Sequence, residues 1–150
     1  MIIKTKFLGE VDIREEDILV FPDGILGFEE SRKFILLPIP ENEFFTILQD
    51  VEREYVSFIV TDPWKFKADY EMEVPDNELL KINIRKKEQI AMLNIVTLSD
   101  VFENSTMNLL APVILNTENR IGKQYVLNNV RYSSKHPLFE KNGESENVDS

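Results

Sequence analysis

Twenty-seven carboxylates, a single histidine and no cysteine bound the chemistry open to this 150-residue chain. Acid–base work needs a titratable side chain with a positioned partner. Glu71 and Glu73 share one face of an alternating segment, and Glu15-Glu16-Asp17 and Glu52 with Glu54 make similar groups. With no cleft to converge on, such acids read as solvated faces. His136 stands beside Pro137 at the edge of a polar tail and reads as a solvated or loosely packed side chain. The lack of Cys removes disulfides, thiolate zinc sites and a catalytic thiol. No loop alternates Asp or Asn around a Gly turn, as an oxygen-ligated calcium site requires. Gly9, Gly24, Gly27, Gly122 and Gly143 fall in neither dinucleotide-binding nor P-loop spacing. The expectation is a protein with no catalytic residues, no cofactor and no metal, hence not an enzyme.

Composition points instead to a binding protein. The net charge is −10, and the last eleven residues contribute only −3 of it, so the body is acidic as well. Such a field repels nucleic acid and steers a basic protein partner, although solubility alone also explains an acidic surface. Arg85-Lys86-Lys87 is the one basic run and reads as a polar turn. Trp64 reads as a structural anchor, with an interface role as the rival. No stretch approaches the roughly 18 apolar residues of a membrane span, and Met1 to Lys6 holds no apolar leader core. A cytoplasmic protein with no membrane contact is expected.

The elements that must position any site are short strands. Alternation over residues 3–8, the run 17–21, then 34–39, 44–49 and 55–60 read as strands. So do 69–74, 89–98, 106–115 and 123–130. In 69–74, Tyr70, Met72 and Val74 take one face and Asp69, Glu71 and Glu73 the other. Pro22-Asp23-Gly24 reads as a turn, and 40–43 and 117–122 as hairpin loops. Asp62-Pro63 predicts one helical turn, and Pro75 to Lys81 a short helix. The fold class expected is all-β, mainly antiparallel and barrel-like, with one or two short helices. One domain over 1–132 is expected, with a polar, acidic, disordered tail over 133–150.

Two apolar blocks stand out: Phe21-Pro22-Asp23-Gly24-Ile25-Leu26-Gly27-Phe28-Glu29, and Asn108-Leu109-Leu110-Ala111-Pro112-Val113-Ile114-Leu115-Asn116. The first reads as a strand end and a tight turn closing one end of a barrel. The second is either a buried central strand or an apolar edge, since Pro112 cannot donate to a ladder.

Together with Phe45-Thr46-Ile47-Leu48-Gln49-Asp50 and Phe58-Ile59-Val60-Thr61-Asp62-Pro63, these blocks resemble the FliW family of flagellar assembly factors in order and spacing. Asp69-Tyr70 fits the same pattern, and the resemblance covers roughly residues 2 to 132. It implies a small cytoplasmic barrel-like protein that binds newly made flagellin at its C-terminal region. It also implies binding to CsrA, a dimeric RNA-binding repressor of flagellin mRNA translation. Export of flagellin would free the protein to capture CsrA and relieve repression.

On this reading Asn108, Leu109 and Pro112 supply partner contact area, and Glu71, Glu73, Asp76 and Glu78 supply steering and repulsion of RNA. A monomer when free is expected. Two rival readings are a flagellin secretion chaperone without a regulatory partner, and a small β-barrel hydrolase or sugar-binding domain.

Overall fold

The alternating segments become strands wherever a second segment lies alongside to pair with them. A computed structural model of the chain describes residues 1–128 and 131–139. Strands β1 (Ile2–Thr5) and β2 (Gly9–Asp12) form a separate hairpin in which Ile3 faces Val11. The alternation expected through Leu8 is cut at Thr5, whose Oγ1 accepts from the Leu8 amide at 2.9 Å and closes the turn.

The main sheet contains β3 (Leu19–Val20), β4 (Lys33–Pro38), β5 (Phe45–Asp50), β6 (Ser57–Thr61) and β7 (Ile90–Thr97). To these it adds β8 (Thr106–Met107), β9 (Val113–Asn116), β10 (Ile121–Gln124) and β11 (His136–Pro137). Its order is β11-β8-β7-β6-β5-β4-β3-β10-β9, and β9 pairs back onto β7, so β3 to β7 with β9 and β10 close a seven-stranded barrel. Among the described pairings one is parallel, β10 to β3 at Ile121 and Val20. The fold class is the mainly antiparallel, barrel-like one expected. The short helix is α1 (Asp76–Leu80). The turn at Pro63–Lys65 is 3₁₀, capped by Asp62, which accepts from the Trp64 amide at 3.0 Å.

Phe21, Phe34, Leu48, Val60 and Val113 are buried together in the barrel, and the Phe21 and Phe34 rings meet edge to face at 5.2 Å. The first apolar block therefore is turn, with core at Phe21 and Ile25, while Leu26 and Phe28 are exposed. Gly24 holds φ +68°, and a Cβ there would lie 2.6 Å from the Phe28 carbonyl oxygen. Gly122 gives the Phe21 ring its room, since a Cβ would lie 2.6 Å from Cζ.

Segments 17–21, 69–74, 106–115 and 123–130 also differ from expectation, the first keeping only Leu19–Val20 as strand. Residues 106–115 are not one strand: β7 hands its edge from β9 to β8, and 108–112 form a loop between them. Pro112 has no amide to offer a ladder. Asn108 Oδ1 instead accepts from the Leu110 and Ala111 amides, at 3.0 and 2.9 Å. Residues 69–74 keep the expected faces but belong to no ladder. The expected strand 123–130 leaves its regular ladder after Gln124.

The boundary expected at residue 132 also moves. His136 and Pro137 pair with Met107 and Thr106, Leu138 is buried, and Phe139 packs against Phe66 and Phe102. A charged, polar sequence around Lys135 conceals this short hydrophobic return. The expectation of disorder from 140 onwards falls outside the described residues.

Candidate functional site: an acid-rimmed groove

A groove of about 880 Å³ lies between residues 71–76 on one side and Tyr125, Leu127, Asn128 and Arg131 on the other. Its first wall is an extended segment fixed at both ends. At the start, the Trp64 indole N–H donates to the Tyr70 carbonyl at 2.9 Å. The Tyr70 hydroxyl donates to the Leu109 carbonyl at 2.7 Å, and its ring meets Tyr132 edge to face at 4.9 Å. Tyr132 Oη then accepts from the Glu71 amide at 2.8 Å. At the far end the Pro75 carbonyl accepts from the Glu78 and Leu79 amides within α1.

The second wall continues the β9–β10 hairpin. The Tyr125 and Leu127 amides donate to the Pro112 and Leu110 carbonyls at 3.0 and 2.8 Å. Met72, Val74, Tyr125 and Leu127 give the groove apolar surface, while exposed Glu71, Glu73 and Asp76 give it charge. Arg131 is the cation of the lining. Met72 and Val74 also border a second, apolar cleft of about 230 Å³, beside Trp64, Leu79 and Met92.

The residues expected to touch a partner thus separate. Glu71, Glu73 and Asp76 meet in the groove. Glu78 is not in its lining: its carboxylate lies 3.1 Å from Lys81 and 3.8 Å from Lys123, which also holds Asp23 at 3.2 Å. Leu109 and Pro112 are buried, so the expectation that they form contact area is corrected. Leu109 packs under the groove and Pro112 supports its second wall through a carbonyl. Asn108 is half-buried, and its own carbonyl accepts from the buried Asn94 side chain at 2.6 Å.

Met72, Val74, Tyr125, Leu127 and Arg131 were not candidates from sequence. The alternating Tyr125 and Leu127, just past a hairpin, are the signal that could have found the second wall. Arg85, Lys86 and Lys87 are exposed, and the first two donate their amides to Gln89 Oε1, as a polar turn does. Trp64 is both anchor and surface, being 41% exposed while its N–H is bonded.

Burial pushes the Tyr70 phenol up to about 12. A hydrogen bond with the Asn94 side chain offsets part of that rise, and Tyr132 adds a smaller push. In the unfolded chain the phenol titrates near 10. Between these values the unfolded state sheds a proton that the folded state keeps, so stability falls as pH rises. Its contribution is fully present below pH 10 and about 2–3 kcal/mol is lost by pH 12. Urea unfolding at pH 9 and pH 11.5 should show this fall, and Tyr70→Phe should flatten it. An equal fall in the variant would mean that other groups cause it.

The described residues include no group of three or more His, Asp or Glu able to hold a metal. Among the described residues, no helix is long and apolar enough to cross a membrane.

Fold and site together define a small closed β-barrel with an acid-rimmed groove between two extended segments. The family model described as FliW protein matches residues 2–138. The flagellar assembly factor FliW of Clostridium novyi (strain NT) is 40% identical over 141 residues, spanning 94% of this chain and 99% of that protein. The flagellar assembly factor FliW of Bacillus subtilis (strain 168) is 40% identical over 138 residues, spanning 92% and 96%. A crystal structure of the flagellar assembly factor FliW superposes with a TM-score of 0.88 at 37% identity, covering 94% of this chain and 99% of that one. The chain belongs to the FliW family of flagellar assembly factors.

Proposed function

We propose that this chain binds flagellin and, when free of it, binds and antagonises the translational regulator CsrA, relieving repression of flagellin mRNA translation. Membership of the FliW family over nearly the whole chain carries this reading. The groove supplies a physical means. A protein that holds RNA presents cations to phosphate. Glu71, Glu73 and Asp76 on one rim suit such a surface, and their field, once docked, lowers RNA affinity by linkage. The role involves no catalytic step and no cofactor, is exercised by a monomer in the cytoplasm, and requires no direct nucleic acid contact.

Titration into a CsrA–RNA complex should release the RNA, and added flagellin should restore the complex. RNA release that flagellin leaves untouched would break the switch. A pull-down that keeps flagellin but never CsrA would leave a secretion chaperone.

A further inference from the structure

We infer that the groove accepts an extended segment of a partner protein as an added β-strand, and that the segment alternates basic with apolar residues. This rests on the reading that the protein acts by binding another protein, but not on which protein supplies the strand. Exposure alternates along 71–74 as in a strand, yet the segment lies in no ladder. Among the described residues, the backbone amides of Met72 and Val74, which face the same edge of this extended segment, donate to no protein group. The Glu71 amide is already satisfied, by the Tyr132 hydroxyl. Glu71, Glu73 and Pro75 face the other edge, and α1 begins at Asp76, so the open edge is short and has a defined end.

Unpaired edges invite a strand. A docked helix has no free backbone groups along its side and would leave these amides unmet. Edges are commonly blunted with Lys or Pro. Here the flanking charges are Glu71, Glu73 and Asp76, which reject an acidic segment and favour a basic one. Arg131, the opposing cation of the lining, is held over the Tyr132 ring at 5.2 Å and donates to its hydroxyl at 3.2 Å. Apolar Met72, Val74, Tyr125 and Leu127 match the other face of an alternating strand.

The test uses the full chain and a synthetic eight-residue peptide of alternating Lys and Val, followed by amide exchange in NMR. Saturating peptide should slow exchange at Met72 and Val74 by about tenfold or more. Full N-methylation of the peptide, which keeps its side chains but removes its donors, should weaken binding by about tenfold. An alternating Glu and Val peptide should not bind. Strand addition is overturned if the Lys peptide fails to bind, if Met72 and Val74 exchange as before, or if N-methylation costs nothing.

A parallel pull-down with flagellin and CsrA separates the two ideas. Retention of those partners with no protection at Met72 and Val74 defeats the added strand alone. Peptide protection without either partner supports the strand and defeats the partner assignment.

Discussion

Replacing Leu109 with Ala should lower the unfolding free energy by about 2–5 kcal/mol, read from the urea midpoint. Leu109 is fully buried in a cluster with Tyr70, Met107, Leu127, Tyr132 and Leu138. Its amide donates to the Ser133 carbonyl at 3.1 Å, and its carbonyl receives the Tyr70 hydroxyl. Alanine keeps both backbone bonds and removes only side-chain volume, so the loss reports the cavity. Domain stability is about 5–15 kcal/mol, so this is a large share of it. A surface contact residue would instead change stability by about 0.5 kcal/mol or less. A small loss would return Leu109 to the surface role that its sequence context suggests.

The double variant Glu71→Lys, Glu73→Lys should raise the concentration needed to displace RNA from CsrA by about tenfold or more, with an unchanged thermal midpoint. Both carboxylates are exposed on an unpaired segment, so neither contributes to the core. Each reversal turns an attraction of up to about 1 kcal/mol into a repulsion of similar size, and tenfold corresponds to about 1.4 kcal/mol. The difference from the parent should shrink as salt is added. Full RNA release by a normally folded variant would remove these acids from the mechanism.

Local chemistry was readable wherever it decided the structure. Asp62-Pro63 makes its turn, and Pro75 to Lys81 contains its helix. The faces of 70–74 are as alternation assigns them. The missing part is pairing, which depends on residues far along the chain. Nothing near Glu71 says that no strand will lie beside it. Pro112 marks a break in the ladder, but its burial follows from the way 110–112 pair with 125–127. Tyr125 and Leu127 became groove residues only through that same pairing. Leu138 and Phe139 were hidden by polar neighbours, although two adjacent large apolar residues in a charged stretch were a visible anomaly.

The parallel rung between Val20 and Ile121 bears on the order of assembly. The β4–β5, β5–β6 and β9–β10 pairs are antiparallel hairpins of neighbours in sequence and form at low loop-closure cost. Joining Val20 to Ile121 encloses nearly all the strands between them, so its entropy cost is repaid only once they are in place. Loop-closure cost therefore places this two-residue rung late in folding, after the local hairpins.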